Sequence, residues 1–201
     1  MYGNAMRTIV DRLENEFGVE VSSRTALEFC AREGEWQTVA YASRVKQVCA
    51  WEIDPRFLPK LRENLPPGSE ITLGDSFELA ALPANEHRFD FIVLDCPLCI
   101  YNGKCEHFEA LALLPYLAKA EAVVIFNVNI HPYDYDKHPE WAARRQAYYG
   151  VDASRLALDF CLDFYRAKLA GLGFEVKAMF AENRAPADYL YAIAVRICQQ
   201  Y

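Results

Sequence analysis

The chain has 201 residues, 53% of them hydrophobic and 24% charged, a composition that excludes a disordered or low-complexity protein and suits one α/β domain. With 28 acidic against 21 basic side chains the net charge is −7, which disfavours loose attraction to a phosphate backbone and so disfavours nucleic acid as a partner. The amino terminus, MYGNAMRTIVDRLENEFG, carries charges through its apolar periodicity, so it reads as neither a signal peptide nor a membrane span, and a cytoplasmic location without membrane contact is the default expectation.

In chain order, Arg7 to Phe17 places Ile9, Val10, Leu13 and Phe17 at helical spacing and predicts an opening amphipathic helix. TALEFC, from Thr25, is a short apolar strand that ends in a loop of small and polar residues reaching Gly34, followed by the helical pattern EWQTVAYASRV. QVCAWEID repeats the move, with Pro55 opening the next helix where a missing amide proton costs nothing, and Pro66-Pro67-Gly68 breaking it. EITLGD is a third strand, FDFIVLD a fourth whose unbroken apolar run suits burial on both faces, and AVVIFNVNI a fifth, with a helix expected over Phe108 to Lys119. A long helix over Ser154 to Ala170 precedes FEVKAMFAE and YLYAIAVRI, which are separated only by the short ENRAPAD link and must therefore pair antiparallel. Strands alternating with helices predict a doubly wound α/β domain spanning residues 1–201, with a mostly parallel seven-stranded sheet and a C-terminal antiparallel hairpin.

In an open parallel sheet, ligands sit beyond the carboxyl ends of the strands. Acids recur there: Glu28 after the first strand, Glu52 and Asp54 after the second, Asp75 after the third and Asp95 after the fourth. Such acids accept hydrogen bonds from ribose hydroxyls or an exocyclic amine, which suits a nucleoside-bearing cofactor. The absence of GxGxxG, with only Gly34 in the corresponding stretch, argues against a dinucleotide reductase.

The succession LEFCAREG, AWEIDP, LGDSFE and FDFIVLDCP, closed by the hairpin, resembles a class I S-adenosylmethionine-dependent methyltransferase over nearly the whole chain. The resemblance implies S-adenosylmethionine as cofactor. It assigns Glu28 with Cys30, Ala31 and Gly34 to the methionine part, Glu52 with Ile53 to the ribose side, and Asp75 with Ser76 to the adenine. LEFCAREG is most similar to the loop of some nucleic-acid amino-group methyltransferases, yet it is poor in glycine, and Arg32 stands where the central glycine is expected. The resemblance further implies methyl transfer to an acceptor that it does not identify. Two alternatives stand beside it: a noncatalytic scaffold that keeps the fold, and a nucleic-acid amino-group methyltransferase.

The stretch DCPLCIYNGKCEHF leads out of the fourth strand, where the family meets its acceptor. Asp95-Cys96-Pro97-Leu98 lies over the D-P-P-Y element and differs at two of its four positions. Asp95 is the first candidate to orient the acceptor, with Tyr101 and His131 behind it. Cys96, Cys99, Cys105 and His107 are zinc-type ligands, but the Cys105-x-His107 half is tight and no second CxxC exists, so no metal is assigned. Seven cysteines without an export signal read instead as reduced, mostly buried thiols. A hard-cation set of Asp95, Asn127 and Asn129 contains only one acid and is weak. Residues 131–153, rich in aromatics and charges, read as a lid insertion over the pocket, in which His131, Tyr133, Asp134 and His138 are placed to meet an acceptor.

Overall fold

The computed structural model describes residues 3–96, 104–132, 135–184 and 189–199. The strands are β1 (Thr25–Phe29), β2 (Gln47–Glu52), β3 (Glu70–Leu73), β4 (Phe89–Leu94), β5 (Ala118–Asn129), β6 (Phe174–Asn183) and β7 (Leu190–Gln199). They form one sheet in the order β3-β2-β1-β4-β5-β7-β6. β1 to β5 pair in parallel, and β7 runs antiparallel to both β5 and β6. The order reverses between β1 and β4, where Phe29 pairs with Leu94, so Cys30 and Asp95 leave the sheet side by side.

Alternation along the strands feeds two cores. Leu27, Phe29, Ile92, Leu94, Val124 and Phe126 face one side; Ala26, Phe91, Val93, Val123 and Ile125 face the other. The second face is covered by α1 (Asn4–Asn15) and α2 (Thr38–Tyr41), and next to them α3 (Leu58–Asn64) packs Leu58 and Leu61 on Val48 and Ala50. In α1 the spacing of Met6, Ile9, Val10 and Leu13 buries one stripe completely, while Phe17, just past the helix, stacks on Phe180 of β6 at 5.2 Å. The opposite face receives α4 (Ser76–Ala80), α5 (Phe108–Leu111), α6 (Leu114–Leu117), α7 (Pro139–Tyr149) and α8 (Leu158–Gly171). Among the described residues, no helix is long and apolar enough to cross a membrane.

One expectation requires correction. The single helix over Phe108 to Lys119 is two short ones, because Pro115 opens α6 and cannot donate an amide bond back to the preceding turn, and Ala118 already belongs to β5. The expected lid over 131–153 contains α7, which buries Trp141, Arg145 and Tyr149 in the core with α8. There the Arg145 guanidinium pairs with Glu106 and donates to the Asn129 carbonyl, at the carboxyl end of β5, at 2.5 Å.

Candidate functional site

A cavity of about 470 Å³ opens at the carboxyl ends of β1 to β4. Its lining includes Glu28, Cys30, Ala31, Gly34, Glu52, Ile53, Asp75 and Ser76, all eight residues that the sequence nominates for a cofactor, together with Asp95. The loops are held at the rim by backbone bonds that continue the sheet: the Ala31 amide donates to the Trp51 carbonyl, and the Gly74 amide to the Glu52 carbonyl, each at 2.8 Å.

Each of these acids is held by hydrogen bonds. Glu28 is buried, and its carboxyl accepts from the Tyr41 hydroxyl at 2.5 Å. Burial pushes its pKa up to about 8, against the opposing effect of the Tyr41 bond, so Glu28 is mostly protonated at neutral pH. Glu52 accepts the Arg32 amide at 2.5 Å with one oxygen and the Asp54 amide at 2.7 Å with the other, tying the β1 loop to the β2 loop. Asp75 caps α4 by accepting from the Phe77 amide at 2.8 Å. Ser76, buried beside it, reaches back with its hydroxyl to accept the Cys30 amide at 3.2 Å. Ile53, half exposed at the rim, and Phe77 add apolar surface to the lining.

The departures from a glycine-rich loop have a backbone signature. Cys30 has φ 57° and Arg32 has φ 49°, the left-handed region that favours glycine. The loop therefore keeps a glycine-type path although cysteine and arginine occupy it. Gly34 has φ 65°, and a Cβ there would lie 2.8 Å from the Leu61 Cδ1, so that side chain would have to shift. The Arg32 guanidinium rests 5.1 Å from the centre of the Phe57 ring. The Cys30 thiol lies against the Cys96 thiol, whose hydrogen bond holds it below the usual thiol range.

Asp95 is less open than the sequence suggests. Its Oδ1 accepts from Arg184 at 2.7 Å and also from the Asn127 side-chain amide, while Arg184 reaches Oδ2 at 3.3 Å. Arg184 in turn lies over the ring of Trp36, a 42% exposed residue of the cavity wall. The sequence reading missed Arg184, Trp36 and Gln37: all three line the cavity, yet Arg184 comes from the end of β6, remote in the chain.

Other nominated residues fall elsewhere. Tyr101, Cys99, Leu98, Tyr133 and Asp134 lie outside the described residues. His131 is exposed beyond β5 and does not line the cavity, because the chain at Ile130 is pinned by backbone bonds to Tyr189 and Leu156. The three described members of the zinc-type set do not share surroundings: Cys96 lines the cavity, whereas Cys105 and His107 are buried in the core, where His107 bonds the Tyr165 hydroxyl at 2.6 Å. Asn127 is engaged with Asp95 and Gln37, and the Asn129 carbonyl with Arg145.

Acids thus stand around the cavity at successive strand ends, with apolar surface beside Asp75. The sheet order, the reversal at β1 and β4 and the terminal hairpin together define the fold of class I S-adenosylmethionine-dependent methyltransferases. Among solved structures the chain is similar to Trm1 from Pyrococcus horikoshii in complex with S-adenosyl-L-methionine, with a TM-score of 0.64 and 15% identity over 98% of this chain and 55% of that one. It is similar to M. jannaschii TYW2 in complex with AdoMet at a TM-score of 0.56 and 12% identity, covering 99% and 78% of the two chains. Trm5b from Pyrococcus abyssi gives 0.53 and 19% over 97% and 49%. The chain thus spans about half the length of Trm1 and of Trm5b. No protein-family model and no curated protein sequence matches it.

Proposed function

We propose that the chain binds S-adenosylmethionine along this rim and directs methyl transfer to an acceptor that enters beside Asp95. The single observation that carries the reading is convergence: residues from three separate β–α loops, nominated one by one from the sequence, line one cavity. In this reading Asp75 and Ser76 hold the adenine, with Ile53 and Phe77 as apolar walls; Glu52 holds the ribose; and Glu28, Cys30, Ala31 and Gly34 surround the methionine part. The cofactor supplies a methyl group already activated on a sulfonium. What remains for the protein is alignment and, for an N–H or O–H acceptor, a place for the proton. Asp95 is suited to orienting the acceptor because Arg184 and Asn127 fix its carboxylate in one position.

Isothermal titration calorimetry with S-adenosylhomocysteine tests this directly. Saturable binding is expected, and Asp75→Asn, which keeps the α4 cap but removes the charge, should weaken it on the order of tenfold. Unchanged affinity in that variant overturns the adenine assignment.

A noncatalytic scaffold is the second reading, favoured by the ion pair that already occupies Asp95 and by the non-glycine residues at Cys30 and Arg32. No heat with millimolar ligand would select it.

A further inference from the structure

The cysteines among the described residues divide by surroundings. Cys49, Cys105 and Cys161 are fully buried in the apolar core, where a thiol serves as a small apolar group. Cys198 lies on β7 opposite Glu121, near the amino end of β5 and so away from the cavity. Cys30 and Cys96 instead both line the cavity, Cys30 half-buried and Cys96 buried.

Strand register brings these two together. Phe29 of β1 pairs with Leu94 of β4, so Cys30 leaves the sheet on one side of the gap, and Asp95 and then Cys96 leave it on the other. Residues one step out of register on adjacent strands are about 6 Å apart between Cα atoms, inside the roughly 4.4–6.8 Å that a disulfide spans. The side chains turn toward each other: the two thiols are hydrogen-bonded, and Cys30 Sγ also lies 3.8 Å from Ser76 Oγ. The thiol–thiol bond holds Cys30 below the usual thiol range, while the same bond and then burial push Cys96 up. A thiolate is the attacking form in exchange, and a protonated thiol in contact with it is placed to act second.

We propose that Cys30 and Cys96 form a thiol–disulfide exchange site in the cavity, with Cys30 attacking a small-molecule disulfide and Cys96 resolving the product, so that oxidation fastens the β1 loop to the β4 loop. In the first step the Cys30 thiolate sulfur bonds to one sulfur of the oxidant RS–SR, whose S–S bond breaks and releases one RS⁻. In the second, Cys96 gives its proton to that RS⁻ and its sulfur attacks Cys30 Sγ; the bond from Cys30 to SR breaks, and the second RS⁻ leaves and takes up from water the proton that Cys30 had shed. The protein pair loses two electrons and the oxidant becomes two RSH. Exposure assigns the roles: only Cys30 has to be reached from outside, because the second step occurs within the protein. The inference stands on the cavity and its two thiols, whichever ligand the cavity takes.

The test treats the full chain with oxidised glutathione, quenches it with acid and maps tryptic peptides without reduction by mass spectrometry. In wild type the peptide Thr25–Arg32, which carries Cys30, should become joined to Phe89–Lys104, which carries both Cys96 and Cys99. Cys99→Ser should form the same link, Cys96→Ser should leave a glutathione adduct on Thr25–Arg32, and Cys30→Ser should abolish the link. The same treatment in urea, where the chain has no fixed geometry, should scatter the links over the seven cysteines. The wild-type map decides the matter even where a variant misfolds: Thr25–Arg32 left unmodified, or left carrying glutathione without the link, overturns the proposal. Loss of the link in Cys99→Ser would give the second role to Cys99, absence of the adduct in Cys96→Ser would deny Cys30 the first, and an equally selective link in urea would show that the folded geometry plays no part; each of these overturns it as well.

Discussion

Two polar regions of this molecule are built from the same kinds of groups and differ in what surrounds them. At the rim, Glu28, Gln37, Asp95 and Arg184 line the cavity, and Asn127 bonds both Gln37 and Asp95. Behind the sheet, Glu106, His107, Arg145, Tyr149 and Tyr165 are buried against one another, His107 bonding Tyr165 and Tyr149 bonding the same hydroxyl at 2.7 Å. Each region holds a buried acid with a raised pKa: Glu28, pushed up to about 8 by burial, and Glu106, pushed up to about 7 by burial against the pull of Arg145. Each also holds a buried atom without a hydrogen-bond partner among the described residues, Gln37 Oε1 in one and Glu106 Oε2 in the other. Of the two regions, the first contributes residues to the lining of that cavity and the second contributes none.

The comparison can be broken most forcefully at Arg145. Removing it as Arg145→Met strands the Glu106 carboxyl in a site where both partners are fully buried, and the expected loss is about 3–5 kcal/mol in urea denaturation. S-adenosylhomocysteine affinity should be unchanged in whatever fraction folds. Loss of binding without loss of stability would mean that the two regions are not separate.

The rim should show the reverse. Asp75→Asn is expected to cost about 1.4 kcal/mol of ligand affinity, the equivalent of tenfold, and little stability, because asparagine caps a helix as well as aspartate. Calorimetry and thermal denaturation on the same preparation separate the two quantities.

Stability as a function of pH sharpens the contrast further. Because the folded Glu28 carboxyl keeps its proton up to about 8 while its ordinary value is 4.5, its contribution is complete below 4.5 and is lost as pH rises through 8. Glu106 acts in the same direction through about 7, and His107, held down to about 3 by burial and then by Arg145, acts in the opposite one, losing stability as pH falls below 6.5. Glu28→Gln should therefore lose less stability than wild type between pH 5 and pH 9, in denaturation curves taken at about one-unit intervals. Parallel curves for the two proteins would show that Glu28 ionises normally.

The smallest effect is expected at Arg32. Its φ of 49° favours glycine, so Arg32→Gly should stabilise the chain by no more than about 1 kcal/mol, the relief of left-handed strain being offset by the greater freedom of glycine in the unfolded chain. Since the guanidinium rests against Phe57, ligand affinity should hardly change. A marked gain in affinity would show that arginine obstructs the site.

Much of this was legible in the sequence. The apolar run FDFIVL and the period of Ile9, Val10 and Leu13 announce elements whose burial follows from local pattern alone. The acids at strand ends could be read because each loop starts where its strand's pattern stops. The helix α7 was not, because its buried face consists of Trp141, Arg145 and Tyr149, and an arginine that enters the core only when Glu106 meets it looks like a solvent residue in one dimension.

The sequence by itself therefore determined the order and kind of the elements, the hairpin that closes the sheet and the row of carboxyl groups, since these depend on spacing along the chain. Tertiary structure alone decided that Arg184, 89 positions from Asp95, would occupy that carboxylate, and that Asn127 and Gln37 would join it in one hydrogen-bonded row. Hydrogen-bond satisfaction belongs to groups brought together from distant positions, and no local pattern records which of them will be left over.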